Sequence, residues 1–318
     1  MSVITQVSRI FSKKKADELL AVSLRQQSVG FCVVPNISAI AGDIEQTSSS
    51  DLLFGVENLK SNTYGQVLQR AKDSHAWRGK CHVVLPSNFS QIVQVDRPNV
   101  PDNEIVGALK WQIKDLVSFQ PDNMVLDYFD LPVTNIGQDK INVVCSPLNE
   151  LKTIVGVLNQ EELEVASITT EEFAFSALVE QKGHASLMVC RQPGEEVVIL
   201  IVKNGQLYFH RRLRGFTQLA EKSPQELDMG AIDSLSLEIQ RSTDYFERQL
   251  KQAPIKEVLV MVPMENEAYL ARRLAENTNV PVELLKLAAQ FEQQREHACA
   301  IGALMLSRQS HEETTHVA

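Results

Sequence analysis

The chain has 318 residues, enough for about two domains and for a core that needs no staples. Charged residues make up 22% and the apolar set 44%, an ordinary globular composition. Lys and Arg number 31 against 40 Asp and Glu, a net charge of −9, which argues against a nucleic-acid partner because such proteins carry a basic stripe.

The longest strongly apolar runs are Val197–Val202 and, including Gly302, Ala298–Leu306. Both are far short of the roughly 20 residues a membrane helix needs. Residues 1–20 have no continuous apolar core of a signal peptide, because Lys13 to Lys15 interrupt them. The five cysteines are widely spaced and form no C-x-x-C, which predicts reduced structural thiols and a cytoplasmic location.

Along the chain, Val3, Ile4, Val7, Ile10 and Phe11 share one helical arc, with Arg9 and Lys13 on the other side. This segment reads either as a terminus packed on the protein itself or as a basic helix on an anionic membrane surface. Leu19–Leu24 and Val29–Val34 read as a hairpin, Ser38–Ile44 as a third strand and Thr47 to Ser50 as a loop. A helix fits residues 62–76. Residues 81–146 read as a separate unit, with strands at 81–85, 91–95, 124–130 and 141–146. Its helix, 103–118, places Ile105, Val106, Leu109, Ile113, Leu116 and Val117 on one core face. Trp111 lies opposite, near Gly107 and Ala108. It is either covered by a neighbouring domain or an anchor for a partner.

After Pro147 the spacing predicts a helix over 148–158, a strand over 163–168 and a helix over 171–179. The second half opens near His184 with strands at 186–190, 197–203 and 206–213. Asn204-Gly205 between the last two is a strong hairpin signal. Helices follow at 233–250, capped by Asp233, at 266–277 and at 292–306, with strands at 257–262 and 280–284. Leading hairpins followed by helix–strand units in both halves predict a duplicated α/β architecture with a small insertion in the first half.

Motifs for chemistry are mostly missing. There is no H-E-x-x-H, no second pair beside Cys81-His82 or His297 and Cys299, and no glycine-rich phosphate loop. Between Gly230 and Gly302 there is no glycine, which a backbone cradling phosphate requires. Arg211-Arg212-Leu213-Arg214 reads as a solvated strand end rather than an anion site. Glu171-Glu172 and Glu161-Glu162, adjacent in sequence, read as surface charge. Asp127 and Asp130 have odd spacing in a strand, so they lie on opposite faces.

The run from Leu109 to Phe129 resembles the inserted small domain of PilM-type pilus assembly proteins. There a helix with a Trp-Glu pair runs into a hydrophobic-Pro-hydrophobic turn and a strand ending in Asp-Tyr/Phe. Here the pair is Trp111-Gln112, and Ser118 replaces the turn proline. Leu237 to Phe246 resembles that family's E-[IL]-x-R-S-[LT]-x-[FY]-F helix, and Ala300 to Leu306 its last helix. The order of elements over residues 15–307 is similar to the MSHA-pilus branch of the group.

The resemblance implies an actin-like (ASKHA, ribonuclease H-like) two-domain α/β fold. Residues 1–80 plus 147–182 would form the first domain, 81–146 the inserted α+β subdomain, 183–307 the second domain and 308–318 a disordered tail. It also implies a peripheral protein of the inner membrane's cytoplasmic side. There it would bind the N-terminal cytoplasmic tail of a PilN-like (MshJ-like) inner-membrane assembly protein, between the first domain and the insertion, along with other platform proteins. Trp111, with Gly107, Lys114 and Phe119, is the expected partner surface.

The family's phosphate loops are altered. D-[IL]-G-x-x-x-[LV]-K is matched by Ser23 to Gly30, with Arg25 inside. D-[IL]-G-x-x-x-[ST] is matched by Arg191 to Val197, so Arg191 replaces the acid that would hold Mg²⁺–water. The Gly-Gly adenosine motif is matched by Met261 to Met264, where Pro263 lacks an N–H. Phosphoryl transfer depends on positioning and charge stabilisation, so these changes predict a pseudo-ATPase without a cofactor or catalytic residue. ATP binding is then unsupported by motifs, although Arg25 and Arg191 would still be able to meet an anion. The alternatives are a nucleotide-dependent switch in pilus assembly and an adaptor of a secretion-system platform, as in the GspL relatives.

Overall fold

In a computed structural model, residues 18–34, 52–132, 139–159 and 163–316 are described. The expected N-terminal helix, the strand at 38–44, the loop at 47–50 and the Glu161-Glu162 pair lie outside them.

The first sheet has five strands in the order β3-β2-β1-β4-β8. These are β1 (Leu19–Leu24), β2 (Ser28–Val34), β3 (Leu53–Asn58), β4 (Gly79–Leu85) and β8 (Leu163–Thr170). β1 and β2 form the predicted antiparallel hairpin, Leu19 opposite Val34 and Leu24 opposite Val29. β1 and β4 are parallel, as are β4 and β8. The second half repeats this order as β11-β10-β9-β12-β13, from β9 (Ser186–Cys190), β10 (Val197–Lys203), β11 (Gln206–Leu213), β12 (Glu257–Met261) and β13 (Val282–Leu284). Asn204 and Gly205 have φ of 51° and 74°, the positive values that a tight β10–β11 turn requires.

The central strands are buried on both faces, so they read as largely apolar runs, broken in β1 only by Ser23. Leu20, Val22 and Leu24 face α1 (Tyr64–His75) and α3 (Leu148–Leu158), packing with Val67, Leu68, Ile154 and Leu158. The other face of β1 joins a core common to both halves. There Ala21 and Val84 meet Met188, Val198 and Leu200 through the last helix, α7 (Ala298–His316). A Cβ at Gly302 would run into the carbonyl oxygen of Ala174, in α4 (Glu171–Ser176), so the two helices touch backbone to backbone.

Between β4 and β8 lies a three-stranded antiparallel sheet, β5-β7-β6, made of β5 (Gln91–Asp96), β6 (Met124–Asp130) and β7 (Lys140–Pro147). It packs its own core against α2 (Asp102–Gln112), with Ile105, Leu109 and Ile113 buried.

Several expectations are corrected. Cys81–Leu85 belongs to the first five-stranded sheet, between β1 and β8, and not to the inserted unit, which starts after Pro86. Its full burial is that of a central parallel strand. The 103–118 helix stops at Gln112, because the chain turns to let the Ser118 N–H donate to Gln91 Oε1 at 2.8 Å. Leu116, now beyond the helix, is exposed, and so is Val106, which lies within the helix but off the stripe of Ile105 and Leu109. Asp233 is not an N-cap, since α5 (Ile232–Asp244) continues from a π-helical turn at Leu227–Ala231. Residues after 307, expected to be disordered, continue α7 to His316. Its buried start nucleates the helix, and no glycine or proline interrupts 303–316.

Candidate functional site

Two places in this fold are candidates: the cleft where the hairpins of the two halves meet, and a groove beside the inserted sheet.

In the cleft, the first hairpin turns at Arg25–Ser28, closed by Arg25 N–H to Ser28 O at 2.9 Å. Ser23 Oγ donates to Gln192 Oε1 on the opposite hairpin. The Gln26 N–H donates to Glu195 Oε1 at 2.6 Å, and its side-chain amide to Glu195 Oε2 at 3.1 Å. Ser87 Oγ donates to the same carboxylate at 2.5 Å. Ser23, Gln192 and Glu195 are all buried.

The two arginines at the former phosphate loops do not face open space, which corrects the expectation that they would be free to meet an anion. Arg25 lies over Gly30, where a Cβ would collide with the guanidinium, and donates to Glu296 O at 2.5 Å. Tyr64 Oη donates back to Arg25 O at 2.7 Å. Arg191 donates to Glu195 O at 2.8 Å and Thr217 O at 2.5 Å. Burial lowers the pKa of both. A guanidinium keeps its charge under such shifts, so each is a cation turned onto protein carbonyls, with Arg25 Nε left buried without a partner.

Glu171 and Glu172, expected on the surface, are each 1% exposed. The helix continues as Phe173, Ala174, Phe175 and Ser176, and the Ser176 hydroxyl is turned back onto Phe173 O, so their charge is met from another element. Arg212, expected as a solvated strand end, supplies their charge. Its Nε lies 3.3 Å from Glu171 Oε1 and its Nη2 2.8 Å from Glu172 Oε1. The same guanidinium donates to Ser87 O at 2.7 Å, Ser90 O at 2.8 Å and Ser90 Oγ at 3.0 Å. Gln192 Nε2 donates to Glu171 Oε2 at 3.1 Å, closing the chain Ser23–Gln192–Glu171–Arg212 across the cleft. Burial first, then the neighbouring Glu172, pushes Glu171 up to about 8. Arg212 holds Glu172 down against its own burial. The two carboxyls titrate as a pair.

At the third altered motif, the Val262 N–H before Pro263 donates to Glu267 Oε1 at 2.6 Å. Glu267, in α6 (Glu267–Glu276), is held by Arg295 at 2.6 and 2.7 Å, and Arg295 also donates to Leu285 O at 2.7 Å. Pro263 is half-buried, and the backbone beside it is tied inward. Among the described residues, no three His, Cys, Asp or Glu side chains come together as a metal site.

The groove lies between β6, an edge of the inserted sheet, and β8, an edge of the first sheet. It has a volume of about 530 Å³, with Val125, Tyr128, Phe129, Ile168 and Phe173 among its walls. Phe129 and Phe173 meet edge-on at 5.0 Å across its base. Val125 and Ile168 are exposed, and Asp127 is a charged residue in the lining. Asp130, on the other face of β6, pairs with Arg97.

The residues expected to bind a partner lie elsewhere. Trp111 is 65% exposed, and Gly107 and Lys114 of the inserted unit are exposed as well. Phe119 packs into the inserted sheet's core. None of the four lines the groove. Glu171, Glu172, Arg212, Gln192 and Glu195 were missed by the sequence reading. The usable signal was an acid pair opening a short helix whose next three residues are apolar.

No family model matches the sequence, and no curated protein matches it. Solved structures do match. The PilM–PilN type IV pilus biogenesis complex aligns with a TM-score of 0.63 over 92% of this chain and 98% of that one, at 15% identity. The cytoplasmic domain of EpsL, an inner-membrane component of the type II secretion system of Vibrio cholerae, aligns at 0.49 over 88% and 94%, at 13% identity. A protein of actin-like ATPase fold and unknown function from Bacteroides thetaiotaomicron aligns at 0.49 over 89% and 96%, at 10% identity. Identities this low speak for fold alone. The repeated sheet order and the likeness to the PilM–PilN structure lead to one conclusion: this chain has an actin-like two-domain fold, with a small α+β insertion in its first half.

Proposed function

We propose that this protein is a non-catalytic scaffold of an MSHA-like type IV pilus assembly platform. It works on the cytoplasmic side of the inner membrane and is held there through its partners. Its groove takes the N-terminal cytoplasmic tail of a PilN-like (MshJ-like) assembly protein. The observation that carries this reading is the groove itself, an apolar channel flanked by two sheet edges. A strand edge offers unpaired N–H and C=O groups, and alternate side chains of an added strand find apolar pockets. Support comes from the likeness to a structure whose name pairs PilM with PilN. Among the described residues no helix is long and apolar enough to cross a membrane, which fits attachment through a partner.

The non-catalytic part of the reading rests on the cleft. Ser23, Arg25, Gly30, Arg191 and the backbone at Pro263 are engaged with the protein itself, which supports a cleft that serves as structure and not as a phosphate cradle. The exposed Trp111, with Gly107 and Lys114, is then a separate contact face for another platform protein.

The test is calorimetry on the full chain. A synthetic peptide of the membrane partner's cytoplasmic tail should bind saturably, and Mg-ATP should give no heat at high micromolar concentration. Absence of peptide binding would sink the groove reading. Saturable Mg-ATP binding would replace the scaffold with a nucleotide-dependent switch.

A further inference from the structure

One side chain touches all three parts of the fold. Arg212 stands near the end of β11, in the second half. Its guanidinium reaches Glu171 and Glu172 of the first half, and Ser87 and Ser90 in the segment that leads into the inserted sheet. A planar guanidinium presents five N–H donors in a fixed fork; here Nη1 and Nη2 donate to two carbonyls and a hydroxyl, and the group lies within ion-pair distance of two carboxyl groups. The same short stretch that holds the carboxylates also forms a wall of the groove, since Thr169, Thr170 and Phe173 line it. Ser87 in turn reaches Glu195 in the cleft, and Ser146 Oγ donates to Phe89 O, tying the two ends of the insertion together.

We propose that Arg212 is a positioning residue that couples the groove to the cleft. With Arg212 paired, the inserted sheet and the two halves respond together. Filling the groove shifts the Thr169–Phe173 stretch, and Glu171 and Glu172 pass that shift through Arg212 to the hairpin carrying Gln192 and Glu195. The proposal deepens the groove reading given above and rests on it for its biological ligand.

The coupling can be tested without any peptide, so its failure is separable from failure of tail binding. Ile168→Trp places a bulky ring in the groove as a stand-in for a ligand. Hydrogen exchange is then followed at the Gln26 and Glu195 amides across the cleft and at the Phe89 amide beside the insertion. These amides are held by bonds to Glu195 Oε1, Gln192 O and Pro86 O. In an otherwise unchanged chain, Ile168→Trp should alter exchange at Gln26 and Glu195 at least fivefold. The neutral combination Arg212→Met, Glu171→Gln, Glu172→Gln removes the tie without stranding a buried charge. On that background the effect of Ile168→Trp should fall below twofold.

Arg212→Lys provides a second background if the triple variant does not fold. It keeps the charge, but a single ammonium cannot span all five acceptors, so the effect should again shrink. An equal response in every background would overturn the proposal. So would an unchanged cleft in the Ile168→Trp chain.

Discussion

The cleft and the groove are built on opposite principles within one fold. The cleft brings together three arginines and three glutamates, each tied by at least one contact to another part of the chain, while Arg25 Nε and Glu172 Oε2 stay buried without a hydrogen-bond partner. The groove has few polar side chains, and its flanking strands end their sheets without a further partner among the described strands. A buried polar cluster gains its value from complete pairing, and loses several kcal/mol when one member is removed. An apolar channel between sheet edges gains its value from what is added to it. The first is a device for holding this protein in one shape, the second for receiving another.

Three measurements would break or sharpen that contrast. The largest effect should come from Arg212→Met alone, which leaves Glu171 and Glu172 without their cation. We expect a loss of about 3 kcal/mol in chemical unfolding, within the range for an orphaned buried charge. A loss near zero would mean that the cleft is open to water and not a clasp.

The next effect is one of pH. Glu171 is raised from 4.5 to about 8, first by burial and then by Glu172. The folded state therefore holds a proton that the unfolded state has released. That contribution is fully present below pH 4.5 and is lost as pH rises through about 8. Between pH 6.5 and 8.5 stability should fall by about 2 kcal/mol, which lowers the thermal midpoint by a few degrees. Glu171→Gln should flatten this slope, and a slope that survives the substitution would assign it to other groups.

The smallest effect on stability should come from the groove. Ile168→Asp changes an already exposed side chain, so unfolding should move by no more than about 0.5 kcal/mol. Tail-peptide affinity should nevertheless fall at least tenfold. A large loss of stability would show that the groove wall is structural core.

Much of the fold was legible because the local signals agreed with the packing. The β1–β2 hairpin, the Asn204-Gly205 turn and the apolar stripe of Ile105, Leu109 and Ile113 needed only their own neighbours to be read. Cys81–Leu85 was placed in the wrong sheet because a fully buried strand carries no alternation to say which sheet it joins. The site was less legible for a related reason. Arg25 and Arg191 were identified by position, but their direction depends on Glu296 O and Thr217 O, far away in the chain. Glu171 and Arg212 are 41 residues apart, and nothing in either segment announces the other. Charged residues are read as surface by default, and only the folded geometry shows the exceptions.

The last helix has a consequence for how the protein comes to exist. Ala298, Cys299, Ala300, Ile301 and Leu304 fill one core that both five-stranded sheets share, and they follow every described strand in the chain. During synthesis both sheets are therefore translated before the segment that covers their facing sides. Until residues 298–304 leave the ribosome, two apolar sheet faces stand exposed to the cell, and neither half has finished folding. The two halves of this duplicated architecture thus mature in a single step, set by the arrival of residues 298–304.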